Sequence, residues 1–130
     1  MFLHIHDELT VGEVEDRFSS CFPYLAIRFY SQPHGRFEAS DNRFRCRPGS
    51  RVGDIRKNHL AGAFEIKSWF TVSKVERALR ERFGLNAQVF RCDGEGNLVQ
   101  TTESDNLTLR EQSELCYSLN EGNGNLEQDG

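Results

Sequence analysis

Three short stretches of this chain hold residue types that could do chemistry. His4-Ile5-His6 is followed by Asp7, and on an extended strand the two imidazoles share one side, the HxH spacing with which some metal-dependent hydrolases begin a metal site. Such sites draw further ligands from later strands of a much longer barrel. The other histidines, His34 and His59, stand in an irregular stretch, so the plainer expectation is two histidines on a half-exposed strand face. Cys46, between Arg45 and Arg47, is the only one of the four cysteines whose sequence neighbours would favour a thiolate. Spacing supplies it with no histidine partner, and an edge-strand thiol among solvated arginines is expected. Asp93-Gly94-Glu95-Gly96-Asn97 is too short for an EF-hand calcium loop and lacks its closing glutamate, so it is expected to be a turn. No catalytic residue, metal or cofactor is expected, and the protein is expected not to be an enzyme.

The elements that must carry these residues come from an internal repeat. Thr10-Val11-Gly12-Glu13-Val14-Glu15 returns sixty-one residues later as Thr71-Val72-Ser73-Lys74-Val75-Glu76. Each threonine can cap a helix, and Glu13 completes a capping box that Lys74 leaves incomplete. Behind the caps, Val11, Val14, Phe18, Cys21 and Phe22 recur at helical spacing, as do Val72, Val75, Leu79, Arg82 and Phe83. Pro23 and Gly84 end the two helices.

An alternating run precedes and follows each helix. Strands are expected near 1–6, 24–31, 62–69 and 86–92, with helices near 10–21 and 71–83. After the helices the repeat holds its alternation only if one residue is dropped at the turn. Leu25, Ile27 and Phe29 then match Leu85, Ala87 and Val89, because a one-residue slip would turn every side chain to the opposite face.

The expected fold is α+β: a duplicated split βαβ, or ferredoxin-like, sandwich with a four-stranded antiparallel sheet and both helices on one face. The alternative is a ubiquitin-like β-grasp fold, in which residues 61–118 supply a strand, a helix and a strand pair, leaving the repeat unexplained. Repeat units 1–31 and 62–92 flank a basic insertion, 32–61, within one domain, 1–120. The insertion suggests an added hairpin around Ser40-Asp41-Asn42 and a helical turn at Arg51-Val52-Gly53-Asp54-Ile55-Arg56-Lys57. The DGEGN turn folds Leu98-Val99-Gln100 back as a further strand, Thr108 with Glu111 opens a short third helix, and the polar tail 121–130 is expected to be disordered.

Composition places the chain among folded proteins, with 37% hydrophobic and 28% charged residues in 130, and no run long enough to cross a membrane. The net charge of −4 hides a basic middle, with seven basic against three acidic residues over 34–57, and a tail from Asp93 onward with nine acids against Arg110 alone. The start of the chain lacks a secretory signal, so a cytoplasmic setting with free thiols at Cys21, Cys46, Cys92 and Cys116 is expected.

On the expected sheet, the face away from the helices carries Phe2, His4, His6, Arg28, Tyr30, Glu65, Lys67, Trp69, Gln88, Phe90 and Cys92. Tyr30, Trp69 and Phe90, with Arg28 and Lys67, are the residues expected to bind a protein partner or a second copy of the chain. The alternative is RNA or other nucleic acid, bound by this face together with Arg43, Arg45, Arg47 and Arg51, although Glu65 and Lys67 stand where an RNA-recognition sheet has stacking aromatics. No small-molecule ligand is specified.

The segment Phe83-Gly84-Leu85 through Arg110-Glu111-Gln112, FGLNAQVFRCDGEGNLVQTTESDNLTLREQ, resembles the C-terminal half of a group of small uncharacterised bacterial proteins. The resemblance implies a bacterial cytoplasmic origin and no particular function.

Overall fold

The structure is a computed structural model that describes residues 1–33 and 41–116. Its elements are β1 (Phe2–Ile5), α1 (Val11–Cys21), β2 (Leu25–Tyr30), β3 (Gly62–Glu65), α2 (Val72–Phe83), β4 (Asn86–Cys92) and β5 (Leu98–Gln100). A third helix, α3, begins at 109 and is described to 116. The expected tail at 121–130, His34, Arg36 and the first arm of the expected hairpin lie outside the described residues.

The expected α+β class holds, but the four strands of the repeat do not join one sheet. β1 pairs with β3 in a two-stranded antiparallel sheet, and β2, β4 and β5 form a second sheet in that order. Both cross-repeat pairings are nearly self-symmetric. Leu3 lies opposite Phe64, its own counterpart sixty-one residues on, and Arg28 lies opposite Gln88, its counterpart at the shortened offset of sixty. The two copies therefore face each other across an approximate two-fold axis. Leu25, Ile27 and Phe29 share the core with Leu85, Ala87 and Val89, which supports the dropped residue at the helix-to-strand turn. β3 stops at Glu65 because the chain turns there, with Phe70 N–H donating to Lys67 O at 3.0 Å.

The helix starts show why the Thr-Val sequence occurs twice. Thr10 Oγ1 accepts from Glu13 N and Thr71 Oγ1 from Lys74 N, both at 3.1 Å. Two more of the unpaired N–H groups at each helix start are met by a segment that returns from far along the chain. Val11 N donates to Ser50 O and Gly12 N to Pro48 O, each at 2.8 Å; Val72 N donates to Leu107 O at 3.0 Å and Ser73 N to Asp105 O at 2.9 Å.

The returning segments give bonds back in the same order. Val52 N reaches Leu9 O and Gly53 N reaches Asp7 O, while Leu109 N reaches Phe70 O and Arg110 N reaches Ser68 O. Val52 and Leu109 are both buried at these clamps. The stretch Arg51 to Ile55 thus supplies a 3₁₀ turn, and its place corresponds to the start of α3 rather than to a third strand-helix unit. α3 opens on a complete capping box, Glu111 N to Thr108 Oγ1 at 3.1 Å and Thr108 N to Glu111 Oε1 at 3.0 Å.

At the first clamp the backbone passes so close that glycine is required. A Cβ on Gly53 would lie 2.8 Å from Asp7 Cβ and 3.0 Å from its Cγ. Gly53→Ala is therefore expected to cost about 1–3 kcal/mol by overpacking, read as a lower urea midpoint at unchanged m-value.

Two other expectations are corrected. The described part of the hairpin is a 3₁₀ turn at Asn42–Phe44, because the Asp41 carboxylate caps it by accepting from Arg43 N at 2.9 Å; beyond it, Arg45 makes a single bridge to Tyr30. Cys92 and Cys116 are not free thiols but a disulfide joining β4 to α3, with Cα atoms 5.7 Å apart. Cys21 and Cys46 are free.

Candidate functional site

The expected binding face does not exist as one surface. Tyr30 is 3% exposed and Phe90 5%, whereas Trp69 is 66% exposed. The physical reason is that β4 is an interior strand, flanked by β2 and β5, and is covered on both sides. The Arg28 guanidinium lies 4.9 Å from the Phe90 ring centre, and the Arg45 bridge runs alongside Tyr30. Trp69 and Lys67 belong instead to the turn after β3, where Lys67 pairs with Glu65 and its Nζ lies 5.5 Å from the Trp69 ring. On the same two-stranded sheet, Phe2 is 51% exposed and His4 is exposed beside it, as the alternation predicts.

Of the four arginines named for nucleic acid, two are held by carboxylates. Arg43 pairs with Asp41 at 2.7 Å, and Arg45 reaches Glu15 at 3.4 Å. Arg47 and Arg51 are exposed.

Sequence reasoning passed over Glu15 and Glu76, the glutamates that both repeats place after the second valine. Glu15 is mostly buried, and burial pushes its carboxyl upward although Arg45 pulls the other way. Glu76 is buried and accepts the Val89 N–H at 2.8 Å, taking the place of a ladder bond where β5 diverges from β4. The shared Val-Glu pair of the two copies was the available signal. Beside Glu15, the Cys46 thiol is buried, and burial first, then the Glu15 charge, pushes its pKa up. Arg45 thus engages Glu15, and Cys46 is not set up as a thiolate nucleophile.

Near the start of the chain, Asp7 is occupied by protein partners. Arg56 donates to its Oδ1 through Nε at 3.0 Å and Nη2 at 2.8 Å, and His59 Nδ1 lies 2.8 Å from Oδ2. Among the described residues, no group of three or more histidine, cysteine or acidic side chains is placed to hold a metal ion.

A last cluster lies at the far end of the second sheet. Arg91, Gln100, Thr102, Glu103 and Ser104 line an open depression of about 490 Å³, and Arg91 is braced from behind by Gln112 of α3.

Fold and surface together define a small α+β protein made of two facing β-α-β units, with Phe2 exposed on one sheet, Trp69 exposed in the turn that follows β3, and a polar depression beside the other sheet. No family model, no curated protein and no solved structure matches the chain. No helix among the described residues is long and apolar enough to cross a membrane.

Proposed function

We propose that this chain is a non-enzymatic binding module that self-associates through the β1–β3 sheet. The observation that carries the reading is that this sheet has two strands among the described residues, with Phe2 exposed on β1 and Trp69 exposed in the turn after β3. Met1 and Ile66 exchange hydrogen bonds, so by antiparallel alternation Leu3 and Ile5 also point their backbone groups at β3. Phe2 and His4 then point theirs outward, and β1 has no other strand partner among the described residues.

A second copy fits this edge because two β1 strands, related by a two-fold axis, would set Phe2 opposite His4 of the other copy and Leu3 opposite Leu3. That is the antiparallel geometry by which β1 already meets β3, its own repeat. Exposed paired edges are what folded proteins otherwise shield.

Sedimentation velocity tests the reading. The wild-type chain is expected to form a dimer that persists in high salt. His4→Pro, which removes only an outward N–H, and Trp69→Ala are expected to weaken it at least tenfold while circular dichroism is unchanged. A chain that stays monomeric at every concentration overturns self-association, and a dimer indifferent to His4→Pro overturns the edge.

As for finer architecture, we read the duplicated split βαβ plan as divided over two sheets; the β-grasp alternative would make the return clamp at Thr71 and Thr108 the defining element instead. A bacterial cytoplasmic setting is part of the proposal. Against it stands the Cys92–Cys116 disulfide, a bond that reducing compartments rarely keep.

A further inference from the structure

The two copies of the repeat agree where their helices face the core and differ in charge where they face solvent. Val11, Val14 and Phe18 of α1 and their counterparts Val72, Val75 and Leu79 of α2 are all buried. The one acid that both helices share is turned inward as well: Glu15 meets Arg45, and Glu76 accepts from Val89 N. On the outside, Glu13 of α1 corresponds to Lys74 of α2 and Asp16 to Arg77, and all four are exposed.

The remaining outer positions follow the same rule. Ser20 corresponds to Glu81 and Ser19 to Arg80, while Arg17 corresponds to Ala78 and Cys21 to Arg82. No two exposed residues at equivalent positions carry the same sign. α2 exposes Lys74, Arg77, Arg80 and Arg82 against Glu81, and none of these four basic groups has a carboxylate of the described residues within ion-pair distance.

Positions three and seven apart lie along one side of a helix, so Glu13, Asp16 and Ser20 form one stripe and Lys74, Arg77 and Glu81 the other. Laid side by side in parallel with equivalent residues level, the stripes set Glu13 against Lys74 and Asp16 against Arg77, and leave Glu81 opposite an uncharged serine. Two α2 stripes met in this way would set like charge on like, and so would two α1 stripes.

We propose that α1 of one copy docks on α2 of a second copy through these stripes. The occupant is the chain itself, because α1 supplies the acid that the basic stripe lacks at the matching positions. A nucleic acid would use α2 and leave the opposite charges of α1 without a role. Each copy offers both stripes, so the contact is heterologous and repeats from copy to copy. It does not rest on the β1 edge: that edge joins through backbone bonds, whereas this contact rests on exposed charges, and is weak and screened by salt.

Sedimentation velocity of the full chain over a concentration series, in low and in high salt, tests the contact. Assemblies larger than those in high salt are expected in low salt, and also in His4→Pro, which separates this contact from the edge. Asp16→Arg and Arg77→Glu lie away from the helix caps, and each is expected to weaken the low-salt association about tenfold with circular dichroism unchanged. An equal mixture of the two variants is expected to restore it, since the altered stripe of each matches the altered stripe of the other. Identical sedimentation in low and high salt overturns the contact, as does its loss in His4→Pro. Failure of the mixture to restore association shows that α1 and α2 are not partners. If Arg77→Glu abolishes the assembly, Asp16→Arg spares it and ultraviolet absorbance shows copurified nucleic acid, the occupant is nucleic acid and the second copy is overturned.

Discussion

Arg56→Met is expected to lower the stability of the folded chain by about 3 kcal/mol, one of the two largest losses from a single change in this protein. The Arg56 side chain is wholly buried and ties three parts of the chain together. Its Nη1 donates to Leu60 O at 2.9 Å and to Phe83 O at 3.0 Å, while Nε and Nη2 hold Asp7. Phe83 O is one of the last-turn carbonyls of α2, which a helix cannot satisfy by itself. Methionine fills the space but supplies no donor, leaving that buried carbonyl unpaired. Asp7 adds little to the loss, because solvent reaches its carboxylate.

The same substitution should change the acid limb of the stability curve. The hydrogen bond from Arg56 is the main cause holding the Asp7 carboxyl below its ordinary value, with His59 assisting and burial opposing. A lowered carboxyl pKa contributes stability that is present above the unfolded value, about 3.9, and is lost as pH falls through the folded one. Urea midpoints measured from pH 7 downward should therefore fall below about pH 4 in the wild-type chain and fall less steeply in Arg56→Met. A variant as stable as the wild type at pH 7 would show that the three carbonyl and carboxylate partners are adequately hydrated without Arg56.

The second large effect belongs to the Cys92–Cys116 bond. It closes a loop of sequence separation 24, for which the chain-entropy relation gives about 3 kcal/mol of stabilisation. Reduction, or Cys116→Ser, is expected to lower the urea midpoint accordingly. A thiol reagent added to the denatured, unreduced chain should titrate two groups, Cys21 and Cys46, and four after reduction. Four without reductant would restore the free-thiol expectation and the reducing compartment that goes with it. The bond also steadies the contact of Gln112 with Arg91, since Cys92 follows Arg91 on β4 and Cys116 stands one helical turn beyond Gln112 on α3.

How far sequence could reach is visible residue by residue. Thr10, Thr71 and Thr108 announced three helix starts because capping is settled within four residues of chain. Leu25, Ile27 and Phe29 against Leu85, Ala87 and Val89 announced the core face of two strands, because alternation records which side is buried. The same alternation misled at Tyr30 and Phe90: it says that a side chain points away from the helices but not whether something else covers it. Of the residues expected to meet a partner, Trp69 is exposed and Lys67 partly so while Tyr30 and Phe90 are buried, and the contacts among Arg91, Ser104 and Gln112 carried no signal, since they exist only once β5 and α3 pack against β4.

By itself, then, the sequence determined the repeat, its helix caps, the side of each strand that enters the core and the one-residue register correction, all of which depend on interactions between near neighbours in the chain. Only the tertiary structure decided that β1 pairs with β3 and β2 with β4, that 48–53 and 105–110 return to clamp the two helix starts, and that Cys92 meets Cys116. These join backbone groups and side chains 24 to 66 residues apart. Any strand edge or helix start with free donors offers the same hydrogen bonds, so the choice among them is made by how the whole core closes, with Leu3, Phe64, Val52 and Leu109 buried together at one time.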